Sequence, residues 1–232
     1  MNLSLFWELL EARINQHHLL CHPFYKAWSA GELSREDLRE YASDYYHHVA
    51  AFPAYLSALH ARLEDGNVRR AVLHNLCDEE GIGSPDSRSH AELWLDFAEG
   101  MGAKREAVCR RSPVKEINDL ISTFRSLVSQ RSTAAALACL YAYESRVPRI
   151  AQEKARGLRE RYGADALTCG YFNLHKTADV RHARTWRDLL ETVLADQPEL
   201  TEDALSAADQ VAQALWQALD AIERQRLSRT VN

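Results

Sequence analysis

Apolar residues recur along this chain at the three- and four-residue spacing of an α-helix, and this periodicity limits the folds that it can adopt. Near the N-terminus, Leu3, Phe6, Trp7, Leu10 and Ile14 form one such apolar stripe. No segment alternates apolar and polar residues in the manner of a half-buried strand. With 232 residues and no linker-like stretch, the chain is expected to form a single all-α domain over residues 1–232.

Residues that start and stop helices divide the chain into about eight predicted helices joined by short loops, which is typical of an antiparallel bundle. The dipeptide Ser84-Pro85 predicts one helix start, with an N-cap followed by proline. A long alanine-rich helix is predicted from Ser132 to Tyr162, with a kink at Pro148. The segment that holds Tyr25 is expected to lie between two helices.

Composition and charge exclude several classes of protein. The formal net charge of −5 gives no reason to expect a nucleic-acid or membrane-surface partner. No apolar run approaches the roughly 20 residues that span a bilayer, and the N-terminus does not resemble a signal peptide. The cysteines are scattered and odd in number, so neither a disulfide framework nor a zinc ribbon is predicted, and a reducing cytoplasm fits best.

One predicted helix carries His175, Asp179 and His182. At about 100° per residue, steps of four and seven bring all three side chains to one face over two turns. Two imidazoles and a carboxylate that converge in this way can bind a transition metal. Taken alone, such residues are more often surface or core residues of no catalytic importance.

Further ligands are expected from other helices. Glu144 lies in an otherwise apolar stretch, where a glutamate needs either a metal or an ion-pair partner such as Arg146 or Arg149. Glu80 ends another predicted helix and His90 lies in the next one. Glu80 is preferred over its neighbour Glu79, although a change of one residue rotates the side chain by about 100° around the helix.

Together these residues give three carboxylates and three imidazoles, which offset most of the charge of two divalent cations. Mixed histidine and carboxylate ligands suit iron or manganese, and open positions admit dioxygen. The Glu-x-x-His pairs that are familiar in di-iron bundles are absent from these positions. The residues therefore predict a two-metal, oxygen-activating site of another arrangement.

Several motifs resemble those of the haem-oxygenase-like dimetal oxidases, and more closely those of the chlamydial protein associating with death domains and its bacterial homologues. The resemblance covers nearly the whole chain and lies in these segments: His22-Pro23-Phe24-Tyr25, the stretch Tyr41–Tyr46, Asp78-Glu79-Glu80, the stretch His90–Trp94, Tyr143-Glu144, and His175 with Asp179 and His182. It implies a seven- to eight-helix haem-oxygenase-like bundle, of the kind found in thiaminase II and the pyrroloquinoline-quinone synthesis enzyme, without haem.

The resemblance also implies a function and a set of roles. Members of this family make para-aminobenzoate for folate biosynthesis, with a tyrosine of the protein itself as the source of the ring. By motif position the consumed tyrosine is Tyr25, the supporting redox-active tyrosines are Tyr41 and Tyr143, and the lysine that donates the amino group is Lys154. The residues around Lys154 are by themselves typical of a solvated helix face.

The resemblance further implies the cofactors and partners. The metal ligands are Glu80, His90, Glu144, His175, Asp179 and His182. They would bind two irons, or one iron and one manganese, and the reaction would use dioxygen and an unidentified reductant. A homodimer is expected from the fold family.

Three other functions remain open at this stage. A thiaminase-II-like hydrolase would use Cys139 as its nucleophile, one turn before Tyr143. A dimetal oxidase with the same ligands could act repeatedly on an external amino acid or fatty acid. A helix-mediated protein-interaction module would be no enzyme at all.

Overall fold

A computed structural model describes residues 2–83 and 87–230 and contains the helices that the apolar spacing predicts. Those residues form eleven α-helices: α1 Leu3–Gln16, α2 Pro23–Ala30, α3 Arg35–Arg62, α4 Asn67–Glu80, α5 His90–Gly100, α6 Arg105–Arg110, α7 Lys115–Gln130, α8 Thr133–Glu144, α9 Val147–Tyr162, α10 Gly170–Asp196 and α11 Thr201–Thr230. Short 3-10 turns at Leu19–Cys21 and Pro198–Leu200 precede α2 and α11. The all-α prediction is confirmed.

Helix α8 lies at the centre of the bundle, packed against α7, α10 and α11. Its sequence is apolar on every face, which is typical of a helix with no solvent-exposed side. Its alanines allow the neighbouring helices to approach closely. Glu144, the last residue of α8, is therefore carried into the middle of the core, where it is 1% exposed.

The helix is interrupted at the end of α8, where the sequence predicts a kinked but continuous helix. Helix α8 ends at Glu144 and α9 begins at Val147, with Pro148 in its first turn. Proline has no N–H to donate to the carbonyl of Glu144, and it is well tolerated in the first turn of a helix. The prediction of a single helix through Pro148 is therefore wrong.

Tyr25 lies in α2, an eight-residue helix, and not in an interhelical segment as the sequence predicts. The His22 imidazole caps this helix by accepting the backbone N–H of Phe24 at 3.1 Å. Pro23 occupies the first helical position, and Gly31 ends the helix in the left-handed conformation with φ +77°. Tyr25 is thus held on a short helix with a defined start and stop.

Helix α5 begins at His90, with Ser89 as its N-cap and Glu92 completing a capping box. Ser84 and Pro85, where the sequence predicts this helix to start, lie outside the described residues.

None of the helices in the described part of the chain is long and apolar enough to cross a membrane.

Helices α2 and α9 approach closely at Gly157, and this contact sets the spacing between Tyr25 and Lys154. A Cβ atom at Gly157 would lie 2.9 Å from Cδ1 of the buried Trp28 indole. We expect Gly157→Ala to push the two helices apart. The overpacking cost of about 1–3 kcal/mol should exceed the gain of about 1 kcal/mol in helix propensity.

The measurement is thermal denaturation, in which Gly157→Ala should lower the melting temperature by a few degrees. Glu160→Ala, on the exposed side of α9, is the control and should leave it nearly unchanged. A melting temperature for Gly157→Ala at or above that of the wild type would contradict the close approach.

Candidate metal centre

Six buried side chains from α4, α5, α8 and α10 form two adjacent clusters. The first consists of Glu79, His90 and His175, and the second of Glu144, Asp179 and His182. Within each cluster one candidate ligand atom from every residue lies within 4.8 Å of the others. A cavity of about 10 Å³ is lined by residues of both clusters, so the two lie side by side around one space.

Helix α10 supplies half of this set, on the face that the sequence spacing predicts. His175, Asp179 and His182 are each no more than 5% exposed, and they face α8, α4 and α5, against which α10 packs. The remaining three residues come from those same three helices.

The sequence-based choice of Glu80 is corrected by the structure to Glu79. Glu79 is buried, with Oε2 2.7 Å from Nδ1 of His90, whereas Glu80 is exposed. Both residues lie in the last turn of α4, where a step of one residue rotates the side chain by about 100°. The neighbours on the helix decide between them, because the buried residues Val72, Asn75 and Glu79 recur at spacings of three and four.

Several buried atoms of the second cluster lack hydrogen-bond partners, and their chemistry suits a metal. Both carboxylate oxygens of Asp179 and Nδ1 of His182 have no well-aligned partner among the described residues. The closest approach is 3.3 Å, between Nδ1 of His182 and Oδ1 of Asp179. A buried carboxylate with no donor is very unfavourable. Carboxylates and imidazoles are the ligands that iron and manganese bind, so the residues fit two divalent cations.

Hydrogen-bond partners outside the two clusters fix the orientation of the histidine rings. Nε2 of His182 lies 3.0 Å from the Asp78 carboxylate, which leaves Nδ1 directed at the cluster. Nδ1 of His175 donates to the carbonyl of Tyr171 at 2.7 Å, which leaves Nε2 for the metal. Carboxylate and carbonyl partners of this kind set the tautomer and strengthen an imidazole as a ligand.

The Glu144 carboxylate is held in a similar way. Its Oε1 accepts from Nδ2 of Asn75 at 3.0 Å, and Oε2 accepts from the indole N–H of Trp186. Arg146, which the sequence suggests as an ion-pair partner, binds Glu11 instead. Glu144 therefore has hydrogen-bond donors to orient it, but among the described residues no arginine forms an ion pair with it.

The protonation of the second cluster follows from this lack of cations. Burial, reinforced by the nearby charge of Asp179, raises the pKa of Glu144 to about 8. Burial opposes the charged form of His182, but the Asp179 carboxylate 3.3 Å away and the charge of Glu144 outweigh this and raise the pKa of His182 to about 9. Without metal the cluster retains protons, and divalent cations would displace them.

A second polar cluster joins Lys154 to two tyrosines. Nζ of Lys154 lies 2.7 Å from Oη of Tyr25 and 2.5 Å from Oη of Tyr41, and the two hydroxyls are 3.2 Å apart. The interpretation of Lys154 as solvated is therefore wrong, since it is 6% exposed. Aromatic rings surround the Lys154 nitrogen, and Nζ is 4.1 Å from the centroid of the Tyr25 ring.

Burial governs the ionisation of this cluster too. It lowers the pKa of Lys154 well below its usual value, and it raises the pKa of Tyr25 and Tyr41 well above theirs. Burial therefore favours a neutral amine beside two neutral phenols. Only a neutral amine has the lone pair that a nucleophile needs.

Aromatic side chains connect the two clusters. Tyr171 stacks on the His175 imidazole with ring centroids 3.9 Å apart. Tyr143, from α8, interacts electrostatically with the phenols of Tyr45 and Tyr171. Tyr171, Tyr143, Tyr25 and Lys154 line one cavity of about 30 Å³. Tyr45 and Tyr171 were not predicted, although Tyr171 lies one turn before His175 and could have been found from that spacing.

Cys139 is fully buried in α8, and burial raises the pKa of its thiol well above the usual range. A reactive cysteine needs access and a stabilised thiolate, and this one has neither. The environment is that of a small core residue.

Comparison with known proteins identifies similar sequences and a similar fold. Residues 39–216 match the sequence pattern of a family described as "Iron-containing redox enzyme". A Chlamydia pneumoniae protein named 4-aminobenzoate synthase is 40% identical over 212 residues, covering 91% of this chain and 92% of the relative. A Nitrosomonas europaea protein of the same name is 37% identical, covering 96% and 92%. The crystal structure of a TenA homologue from Pseudomonas syringae pv. tomato is similar in fold, with a TM-score of 0.81, 16% identity, and coverage of 94% and 93%.

The choice between Glu79 and Glu80 gives a matched pair of variants. We expect Glu79→Ala to lose at least one of two metal equivalents, because the first cluster would keep two imidazoles and no carboxylate. Glu80→Ala should bind the full amount. The measurement is elemental analysis after anaerobic reconstitution with iron and manganese and removal of loosely bound metal. Full occupancy in Glu79→Ala, or a loss in Glu80→Ala alone, would contradict the assignment.

Proposed function

This chain belongs to the haem-oxygenase-like family of iron-containing redox enzymes and is an oxidoreductase, and we propose that it makes 4-aminobenzoate from its own Tyr25. The family resemblance expected from the motifs is confirmed by these relatives. Two of them carry the name 4-aminobenzoate synthase and align with nearly the whole chain. The proposal extends their named activity to this protein and assigns residues to it.

The observation that carries the proposal is the 2.7 Å distance between Nζ of Lys154 and the phenol oxygen of Tyr25. In 4-aminobenzoate an amino group occupies the ring position that carries the hydroxyl in tyrosine. The lysine nitrogen thus lies next to the position where the product needs nitrogen. Burial lowers the pKa of Lys154 well below its usual value, which favours the neutral amine.

The atoms of a tyrosine side chain account for the rest of the product. The ring and Cβ supply all its carbons, with Cβ becoming the carboxyl carbon after the bond to Cα breaks. The phenol oxygen leaves as water when the Lys154 nitrogen bonds to the oxidised ring, and hydrolysis then breaks the Nζ–Cε bond and leaves Cε of Lys154 as an aldehyde. Forming a carboxyl group from a methylene is an oxidation, for which dioxygen is the oxidant, and a reductant completes the reduction of oxygen to water.

The two clusters of candidate metal ligands would supply the oxidising site. A pair of irons, or one iron and one manganese, held by the six ligands would activate dioxygen and withdraw electrons from nearby side chains. Tyr171 and Tyr143 lie between those ligands and Tyr25, and their easily oxidised phenols provide a path for electrons. Tyr41 shares Lys154 with Tyr25 and orients its amine through the 2.5 Å hydrogen bond.

The internal space favours a substrate that is already part of the protein. The cavity beside the metal ligands measures about 10 Å³, and the one beside Tyr25 measures about 30 Å³. The first admits about one water molecule and the second about two, whereas pockets for small-molecule ligands usually measure several hundred Å³. An external amino acid or fatty acid would need the helices to move apart, but the Tyr25 ring is already in place.

The test follows the ring carbon from the protein into the product. We expect protein made with isotope-labelled tyrosine to release labelled 4-aminobenzoate after metal loading and exposure to dioxygen with reductant. Free labelled tyrosine added to unlabelled protein should leave the product unlabelled. Mass spectrometry should find less than one product per chain, because each molecule has one Tyr25.

Matched variants identify the two atom donors. Tyr25→Phe should bind both metals and give no product, because its ring lacks the oxidisable O–H. Lys154→Arg should also give none, since guanidinium stays protonated and does not transfer an amine. The controls are Tyr46→Phe and Lys115→Arg, which lie away from the site. Many turnovers on an added substrate with Tyr25→Phe still active would refute the self-consuming reaction while leaving the oxidase intact.

The buried Cys139 allows a separate test against a thiaminase-like reaction. Cys139→Ala should retain most of the oxidative yield, because a small apolar side chain replaces a protonated thiol in the core. The wild-type protein should not cleave thiamin at a useful rate. Efficient thiamin cleavage that disappears in Cys139→Ala would favour the hydrolase instead.

A further inference from the structure

A second pocket adjoins the cavity that holds Tyr25 and Lys154, and its lining residues are on the whole more exposed than those of that cavity. Leu19 and Ile150 belong to the walls of both, so the two spaces are neighbours separated by these side chains. The outer pocket measures about 90 Å³, about three times the inner cavity. We call it the basic vestibule, and define it by His18, Ser145, Arg146 and Arg149.

The charge of the basic vestibule is positive. Arg146 is balanced by its ion pair with Glu11. Arg149 is exposed, and no carboxylate among the described residues pairs with it. One full positive charge is therefore left at the mouth of a pocket whose other walls include apolar side chains.

Three further polar atoms of the basic vestibule have no partner within the described part of the chain. They are Nδ1 of His18, Oγ of Ser145 and Nε of Arg146, and each is shielded from solvent. Unsatisfied buried polar atoms are uncommon in folded proteins and call for an explanation. Two of them, the Ser145 hydroxyl and the Arg146 N–H, are donors that an anion could accept from.

We propose that the basic vestibule binds the carboxylate of the aromatic product on its way out of the inner cavity. This inference rests on the proposed function, since it takes its ligand from that reaction. The ligand class is a small aromatic carboxylate, with its ring against Leu19 and Ile150 and its carboxylate toward Arg149 and Arg146. Charge-assisted hydrogen bonds from arginine to a carboxylate are among the stronger ones in proteins.

The change of charge in the reaction explains why the product would bind in the vestibule. Tyr25 is uncharged while it is part of the protein, but the released product carries a carboxylate. An anion is strongly disfavoured in the apolar surroundings of Tyr25. A positive pocket next to the inner cavity gives that anion a favourable place to move to, past Leu19 and Ile150, which line both spaces.

The test is a fluorine NMR titration of metal-loaded protein with 4-fluorobenzoate, using 4-fluorobenzamide as the neutral analogue. We expect saturable binding of the carboxylate that weakens as salt is added and that 4-aminobenzoate displaces. The amide should bind at least about tenfold more weakly, because it lacks the charge. Arg149→Gln should weaken carboxylate binding by about the same factor.

Arg159→Gln is the matched control, since Arg159 is an exposed arginine on the same helix and should bind 4-fluorobenzoate as the wild type does. Equal affinity for acid and amide, no change in Arg149→Gln, or no saturation at all would overturn the vestibule. The titration uses added ligand and needs no turnover. Its failure therefore leaves the origin of the product in Tyr25 untouched, and a failure of the labelling experiment leaves the binding result standing.

Discussion

Three carboxylates buried at the centre of the helical bundle are the constraint on which the rest of the structure depends. Glu79, Glu144 and Asp179 share the centre of the bundle with imidazoles, and among the described residues no lysine or arginine reaches them. In a medium of low dielectric constant such a group is stable only with protons or metal cations. Four helices must converge to form it, and the alanine-rich α8 lets them do so by allowing close packing on every side.

The site is ordered from the inside outward. The candidate metal ligands occupy the core, tyrosines lie next to them, and the amine of Lys154 lies beyond, against Tyr25. The basic vestibule lies outside that, where charge can be solvated. Each step follows from burial: acids need cations in the interior, phenols and an uncharged amine tolerate the apolar layer, and an arginine such as Arg149 remains near water.

The sequence predicted the features that depend on local spacing and missed those that depend on three-dimensional packing. His175, Asp179 and His182 share one face because helical geometry requires it. Glu79 could not be separated from Glu80, because both lie at a helix end whose rotation is set by tertiary contacts. Lys154 lies among polar neighbours and was interpreted as solvated, since nothing local reveals that α2 covers it. The proximity of Gly157 to Trp28, which brings α2 there, is a contact across about 130 residues of sequence.

The central claim is that the two clusters hold one metal each, side by side in the core. Anomalous X-ray diffraction at the iron edge, on crystals loaded anaerobically with iron, tests it directly. The account predicts two peaks about 3.5–4 Å apart, one bonded to Glu79, His90 and His175 and the other to Glu144, Asp179 and His182. A single peak, or peaks bonded to residues outside these two clusters, would contradict it.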